Sequence, residues 1–208
     1  MSGAPAAQAG SAGVECEDGL VGAGAELAAL AAQVPGLLVV SGPSGVGKGT
    51  LIARLMALHP HRFGFCTSHT TRGPRPGEVD GQHYHFTTQS AMQSEIARGA
   101  FLEHASVHGN TYGTSLAAVA AVCSLGKLPL LDIDVQGARK VRSSVVGGRA
   151  ASVFVAPPSL PELEARLRGR ATESEDRIQA RLSAAAAEME EAASYGDTVV
   201  NGQLDRAY

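Results

Sequence analysis

The densest run of chemically informative residues is a glycine-rich stretch that reads Gly42, Pro43, Ser44, Gly45, Val46, Gly47 and Lys48. Spaced glycines allow successive backbone N–H groups to turn inward around the oxygens of a phosphate. A helix that starts near Gly47 would direct its positive end toward the same anion. Lys48 would add a positive charge at the terminal phosphates. The alternative is a glycine-rich turn with a surface lysine, but the strand and helix patterns on either side favour a phosphate-binding loop.

The residue after Lys48 departs from the strict form of this pattern. A serine or threonine that contacts Mg²⁺ normally stands there, whereas this chain has Gly49 and then Thr50. Because Mg²⁺ is often held mainly by water and substrate phosphates, loss of one hydroxyl still permits a magnesium-dependent site. The Gly-Lys-Gly-Thr sequence resembles the loop of adenylate-kinase-type enzymes. This departure therefore favours a nucleotide monophosphate kinase over a motor or a GTPase switch.

A second cluster lies between Ser68 and Tyr84 and contains two arginines three positions apart, Arg72 and Arg75. Prolines at positions 74 and 76 stiffen this stretch, and two guanidinium groups can bind one phosphate through several hydrogen bonds. The hydroxyl of Tyr84 is a further donor. The alternative is a solvated turn with incidental charges, which the absence of an acidic residue before Glu78 disfavours. The cluster predicts a second anion site.

Strands and helices that would position these residues alternate along the chain. Apolar runs at 37–41, 128–134, 151–155 and 198–200 predict buried strands, and 47–58 and 177–193 have helical spacing. Such alternation is typical of a parallel sheet with right-handed crossovers. Residues 68–124 interrupt the alternation and predict an inserted lobe. We therefore expect an α/β protein whose core is a parallel sheet flanked by helices.

Composition limits the classes of function. The chain has 208 residues, a net charge of −3 and 44% hydrophobic residues, which suits one α/β domain with a substantial core. The charge disfavours bulk binding to nucleic acid or a membrane surface. No apolar run reaches the roughly 18 residues that a membrane span needs. Three scattered cysteines indicate free thiols in a reducing compartment, and we expect a cytoplasmic protein with a disordered extension over residues 1–35.

Several further runs resemble the guanylate kinase family, in family order from position 36 to position 208. They include Ser68-His-Thr-Thr-Arg72, Arg75-Pro-Gly-Glu-Val-Asp-Gly, Gly99-Ala-Phe-Leu-Glu103, His108-Gly-Asn-Thr-Tyr-Gly-Thr114, Leu131-Asp-Ile-Asp134 and Thr172-Glu-Ser-Glu175. The resemblance implies one guanylate-kinase-like domain over 36–208. Its parts would be a P-loop core (36–67 and 125–208), a GMP-binding lobe (about 68–124) and a short mobile lid (about 166–181).

The resemblance also implies roles for individual residues. Glu103 would read guanine by accepting hydrogen bonds from N1–H and the N2 amino group, a donor pair that adenine lacks. Ser68 and Thr114 would bind the remaining guanine edge, and Asp134 would organise the acceptor or Mg²⁺-bound water. The GMP phosphate would be held by a clamp of four residues: Arg72, Arg75, Tyr84 and Tyr112.

The donor side follows from the same resemblance. Residues 42–50 would bind ATP, and transfer of its γ-phosphoryl group to GMP would give ADP and GDP. Lys48 and Arg72, together with the lid arginines Arg166, Arg170 and Arg181, would be the catalytic residues. Mg²⁺ would be held through water and phosphates, with Thr50 or Asp134 as candidate ligands. Arg168 and Arg177 are expected to form surface ion pairs.

Two alternatives remain at this point. One is a non-catalytic guanylate-kinase-like module that binds a peptide, although such modules typically have a degraded ATP loop. The other is a kinase of a different phosphorylated small molecule on the same scaffold. We expect a monomer or a small homo-oligomer.

Overall fold

A computed structural model describes residues 29, 32, 34–169 and 174–207 of the chain. The strands are β1 (Leu37–Ser41), β2 (Phe63–Phe65), β3 (His69–Thr70), β4 (His85–Phe86), β5 (Phe101–Val107), β6 (Asn110–Ser115), β7 (Leu128–Asp132), β8 (Ala150–Ala156) and β9 (Asp197–Val200). The helices are α1 (Lys48–Leu58), α2 (Gln89–Ala97), α3 (Leu116–Ser124), α4 (Val135–Ser143), α5 (Leu160–Gly169), α6 (Glu175–Glu190) and α7 (Leu204–Ala207). Most of the predicted disordered extension and residues 170–173 of the predicted lid, including Arg170, lie outside the described residues.

The larger sheet is parallel, and its strand order is β2-β7-β1-β8-β9. Its central strand β1 places Leu38 opposite Leu130 of β7 and Val40 opposite Val153 of β8. Helices connect successive parallel strands, as the alternating sequence pattern predicts. The predicted α/β class with a parallel sheet flanked by helices is thereby confirmed. Strand order also brings the carboxyl ends of β1 and β7 side by side, where ligands of such sheets bind.

The core is divided between the two faces of this sheet. Leu37 and Val39 contribute to one buried cluster, whereas Val40 contributes to the other and Leu38 packs against it. This division follows from the strand period of two, which sends successive side chains to opposite faces. The first cluster includes Val119 of α3 and Val141 of α4, and the second includes Ile52 of α1 and Leu163 of α5. A strand buried on both faces accounts for the continuous apolar run from which β1 is predicted.

A second, mostly antiparallel sheet has the order β4-β3-β6-β5. Strands β5 and β6 form a hairpin whose turn contains His108 and Gly109, both with positive φ. The hydroxyl of Ser115 caps α3 by accepting a hydrogen bond from the backbone N–H of Ala118 at 3.1 Å, which ends β6 and starts the helix. Helix α4 packs against β5. The second sheet is thereby fixed at the carboxyl edge of the first.

Helix α6 begins earlier than the sequence pattern predicts, at Glu175 and not at position 177. Ser174 is in an extended conformation and serves as the N-cap residue, so the acidic pair after it forms the first helical turn. The helix ends at Glu190 and continues as a short 3₁₀ turn over Glu191–Ser194. Across the part of the chain that the structure describes, no helix is both long enough and apolar enough to cross a membrane.

Candidate functional site

A cleft of about 350 Å³ opens where the carboxyl edge of the parallel sheet faces the second sheet. One side of the cleft is the glycine loop (residues 42–48) with the start of α1, including Thr50. The opposite side carries Arg72, Arg75 and Glu103. The two anion sites predicted from separate parts of the sequence therefore line one cleft. Other predicted residues that line it are Ser68, Tyr84, Tyr112, Asp134 and Arg181.

Three glycines of the loop, Gly42, Gly45 and Gly47, have positive φ angles of 136°, 90° and 97°. A Cβ atom at Gly42 would lie 2.2 Å from the carbonyl oxygen of Val155, and one at Gly47 would lie 2.5 Å from Nδ2 of Asn201. Both the backbone conformation and the close neighbours therefore require glycine at these positions. Helix α1 begins directly after the loop, so its N-terminal N–H groups are available to an anion in the cleft.

Lys48 lies across the mouth of the loop. Its ammonium group donates a hydrogen bond to the carbonyl oxygen of Gly42 at 2.7 Å, and it is 3.8 Å from Oδ1 of Asp132. Burial raises the pKa of the Asp132 carboxyl group, and the positive charge of Lys48 opposes that shift. The lysine is therefore held at the loop by Gly42, which directly follows the central strand β1, and by Asp132, the last residue of the neighbouring strand β7.

Arg166 and Arg181, two of the arginines predicted to be catalytic, contact the loop in different ways. Arg181 lines the cleft, and its Nη1 donates to the hydroxyl of Ser44 at 2.5 Å. Arg166 donates from Nη1 to the carbonyl oxygen of Val46 at 3.2 Å and also pairs with Glu162 on its own helix. Arg168 pairs with Glu164 and Glu175 on the surface, which agrees with the role predicted for it.

Asn201, directly after β9, is a loop contact that sequence reasoning missed. Its side chain is buried, and Nδ2 donates to the carbonyl oxygen of Val46 at 2.8 Å. The backbone carbonyl oxygen of Asn201 accepts a hydrogen bond from Nη2 of Arg166 at 2.8 Å. A polar residue directly after an apolar strand was the available signal, but its partner is 155 positions away.

On the opposite side of the cleft, Arg72 forms a bidentate ion pair. Its Nη1 and Nη2 atoms donate to the two carboxylate oxygens of Glu78 at 2.8 and 2.9 Å. The rings of Tyr84 and Tyr112 meet edge to face, with centroids 5.9 Å apart. Burial, reinforced by the Asp132 charge, raises the pKa of Tyr84 to about 12, so its hydroxyl remains protonated and able to donate. The four residues predicted to form the clamp therefore line one cleft, and Glu78 contacts one of them, Arg72.

Glu103 is 3% exposed, and its Oε1 accepts a hydrogen bond from the backbone N–H of Thr114 at 2.7 Å. Burial raises its pKa to about 7, and the hydrogen bonds from Thr114 partly offset that shift. Gly137 is in close contact with the Glu103 carboxylate. A Cβ atom added at Gly137 would lie 2.4 Å from Oε2 of Glu103. Beside this group the hydroxyls of Ser68 and Thr114 are 3.2 Å apart. Glu103 and Ser68 line one wall of the cleft, and the fully buried Thr114 contacts both of them without lining it.

Acidic residues complete the cleft between the two sides. Asp134 caps α4, since its Oδ1 accepts a hydrogen bond from the backbone N–H of Gly137 at 2.9 Å. Glu188 of α6 also lines the cleft, and burial raises its pKa. Sequence reasoning assigned Glu188 no role, because the periodicity of a long Ala-rich helix does not indicate which end of it meets the sheet.

The fold and the cleft define an α/β protein with its ligand site at the carboxyl edge of a parallel sheet. The family model described as guanylate kinase matches residues 35–208. The chain belongs to the guanylate kinase family.

Relatives of this family cover most of the chain. It is 56% identical to guanylate kinase 1 of Oryza sativa subsp. japonica over 174 residues, which cover 82% of this chain and 45% of the rice protein. It is 48% identical to guanylate kinase of Sus scrofa over 177 residues, which cover 84% of this chain and 88% of the pig protein. The chain thus spans about half the length of the plant relative.

A crystal structure of guanylate kinase from Anaplasma phagocytophilum has the same fold. It superposes with a TM-score of 0.63 at 31% sequence identity, and the match covers 83% of this chain and 80% of that one.

Proposed function

We propose that this protein transfers the γ-phosphoryl group of ATP to the phosphate of GMP, giving ADP and GDP. The observation that carries the proposal is that Lys48, at the start of α1, and the buried carboxylate of Glu103, on β5 of the second sheet, line one cleft. A phosphate-binding loop and a group that reads guanine are then separated by the space in which a phosphoryl group would move. Membership in the guanylate kinase family supports the same reaction.

At the donor end, the glycine loop and the N-terminus of α1 present N–H groups to the ATP phosphates. Lys48 contacts the terminal phosphates, and Arg181 reaches the same end through its position beside Ser44. Fixed positive groups stabilise the charge that develops on the transferred phosphoryl, and no nucleophilic side chain is needed because GMP itself attacks. Arg166 contributes through the loop backbone that it holds.

At the acceptor end, Arg72, Arg75, Tyr84 and Tyr112 bind the GMP phosphate through charged and hydroxyl donors. Glu103 accepts the guanine N1–H and N2 amino hydrogens, and Ser68 and Thr114 contact the remaining edge of the base. Holding both substrates in line lowers the entropic part of the barrier. We assign this binding function to the lobe over residues 68–124.

Mg²⁺ fits the oxygen donors of this cleft. Thr50, Asp132 and Asp134 supply a hydroxyl and two carboxylates, the ligand type that this hard cation prefers. Mg²⁺ is often bound mostly through water and substrate phosphates, and the proposal assigns it that mode here. When bound, Mg²⁺ neutralises charge on the donor phosphates. Residues 166–181 would close over the donor end, and we propose a cytoplasmic monomer or small homo-oligomer.

A coupled assay that measures ADP formation tests the proposal, with ATP and Mg²⁺ and with GMP, AMP, CMP or UMP as the acceptor. We expect turnover with GMP and much less with the other three nucleotides. Turnover of none of them by folded protein would exclude the kinase and leave a binding module. Preference for AMP would show that Glu103 does not select guanine.

A further inference from the structure

We propose that Glu78 is a positioning residue for the acceptor phosphate. Its carboxylate holds one edge of the Arg72 guanidinium group, so that the opposite edge faces the cleft. The inference rests on the proposed function, because the phosphate in question is that of GMP. Glu78 itself would not contact the substrate, and its effect would pass through Arg72 and the backbone of Arg75.

The carboxylate of Glu78 binds the end-on edge of the Arg72 guanidinium group, which is the edge formed by Nη1 and Nη2. Nη1 donates to Oε2 at 2.8 Å and Nη2 to Oε1 at 2.9 Å, and Nη1 also donates to the carbonyl oxygen of Gly73 at 2.7 Å. A guanidinium group has five N–H donors in one plane. These three bonds use both hydrogens on Nη1 and one hydrogen on Nη2.

The two remaining donors of Arg72 lie together on its side-on edge. They are the Nε–H and the second Nη2–H, which are parallel and can bind two oxygens of one phosphate. A hydrogen bond with the Tyr112 hydroxyl also raises the pKa of Arg72, after the larger effect of Glu78 and against the effect of burial, so this hydroxyl would share the remaining donors with a bound phosphate. Since Arg72 and Tyr112 both line the cleft, the donor pair and the tyrosine hydroxyl can act on one anion.

Glu78 also fixes the backbone of the second clamp arginine. Its Oε2 accepts a hydrogen bond from the backbone N–H of Arg75 at 2.7 Å, and its own N–H donates to the Arg75 carbonyl oxygen at 3.0 Å. Gly77, between them, has a φ of 84° that closes this turn. One carboxylate therefore sets the positions of both clamp arginines relative to each other.

Two aromatic rings restrict the orientation of the Arg72 guanidinium group. Its Cζ lies 5.4 Å from the ring centroid of Tyr84 and 5.8 Å from that of Phe86. The ion pair is also sheltered, because the side chains of Arg72 and Glu78 are 14% and 17% exposed. A sheltered, bidentate pair with a stacked guanidinium group restricts rotation about the side-chain bonds, so little entropy is lost when phosphate binds.

A competing idea is that Glu78 occupies the phosphate position and must be displaced by GMP. The two ideas predict opposite effects when the carboxylate is neutralised. Loss of a positioning group raises the KM for GMP, whereas loss of a competitor lowers it. The hydrogen bond from Glu78 to the Arg75 backbone favours positioning, since displacement would also open the turn that carries Arg75.

The test is Glu78→Gln, measured by steady-state kinetics with each substrate varied in turn. We expect the KM for GMP to rise about tenfold, because charged hydrogen bonds to both arginines are weakened. We expect kcat at saturating GMP and the KM for ATP to change by no more than about twofold. Glu78→Asp keeps the charge, and we expect a smaller increase that partly restores wild-type behaviour. Glu191→Gln removes the carboxylate of an exposed ion pair with Arg139 and is the matched control.

Calorimetric titration with GMP alone separates failure of this inference from failure of the proposed function. If the wild type neither binds nor phosphorylates GMP, the proposed function falls, and with it the acceptor site. If the wild type binds GMP and Glu78→Gln binds it equally well or more tightly, only the inference about Glu78 is overturned. Thermal unfolding of each variant checks that it is folded. If Glu78→Asp and Glu78→Gln are both folded and both bind GMP with wild-type affinity, the proposal is contradicted.

Discussion

Nδ2 of Asn201 donates to the carbonyl oxygen of Val46 at 2.8 Å, so the residue that follows the last strand of the parallel sheet holds the centre of the glycine loop. Val46 is fully buried, and Nη1 of Arg166 reaches the same carbonyl oxygen at 3.2 Å. The shape of the loop therefore depends on β9 and α5 as well as on its own glycines. This dependence leads to the first prediction.

Asn201→Ala should loosen the loop without removing any group that touches a substrate. One hydrogen bond to a buried carbonyl is lost while that from Arg166 remains, so we expect a loss of about 1 kcal/mol of stability. We also expect the KM for ATP to rise about fivefold to tenfold and the KM for GMP to stay nearly constant. Gln93→Ala, which removes an exposed carboxamide from α2, is the control. An equal effect on both KM values would contradict the prediction.

Gly47→Ala and Gly49→Ala should change stability in opposite directions. Gly47 has a φ of 97° and is in close contact with Asn201, whereas an added Cβ at Gly49 meets no atom within 4 Å. We expect Gly47→Ala to lower the free energy of unfolding by about 1–3 kcal/mol because of backbone strain. Gly49→Ala should raise it by up to about 1 kcal/mol, since alanine favours the helix. Urea unfolding measures the free energy of unfolding of both variants. Equal free energies would contradict the explanation that backbone strain distinguishes the two positions.

Lys48→Ala should abolish most of the phosphoryl transfer while preserving the fold. The ammonium group is placed to stabilise charge on the donor phosphates, and we expect kcat to fall by about 100-fold or more. Lys127→Ala removes an exposed lysine that donates to the Pro60 carbonyl oxygen, and it should retain activity. Circular dichroism of both variants checks folding. Turnover by Lys48→Ala close to that of the wild type would exclude the assigned role.

The affinity for GMP should rise with pH through the titration of Glu103. Burial raises the pKa of this carboxyl group from 4.5 to about 7, and under the proposed function the ionised form would accept the guanine N–H groups. The same shift makes ionisation unfavourable in the unliganded protein. Stability from this group is therefore present at low pH and is lost as pH rises from about 4.5 to about 7.

Calorimetry from pH 5.5 to 8 with the wild type and Glu103→Gln measures this linkage. The GMP phosphate itself titrates near pH 6, as phosphate monoesters do, so the difference between the two proteins is the quantity to compare. We expect Glu103→Gln to bind GMP more weakly and to lose the steeper part of the pH dependence. Identical profiles would show that Glu103 does not titrate in this range or does not contact guanine.

Local patterns in the sequence were sufficient to predict the glycine loop and four of the five parallel strands, but not the three-residue strand β2. The alternation of buried strands with helices predicts β1, β7, β8 and β9, because strand and helix periodicities are properties of short segments. The helix predicted to start at 177 starts two residues earlier, because Glu175 and Asp176 form its first turn and apolar spacing does not include acidic residues. Most of the predicted site residues from both halves line one cleft. Four of them do not line it, namely Pro43, Val46, Thr114 and Arg166, and Arg170 lies outside the described residues.

By itself, the sequence determined the class of fold, the family and the residue types needed for a phosphate and a guanine ligand. The tertiary structure decided which groups, distant in the sequence, contact and position those residues. Asn201 and Val46 are 155 positions apart, and the Glu103 carboxylate, whose burial shifts its pKa, contacts Thr114 of β6 and Gly137 of α4. The physical reason is that periodicity and turn chemistry act over a few neighbouring residues. Burial, long-range hydrogen bonds and the pKa values that depend on them exist only once the chain is folded.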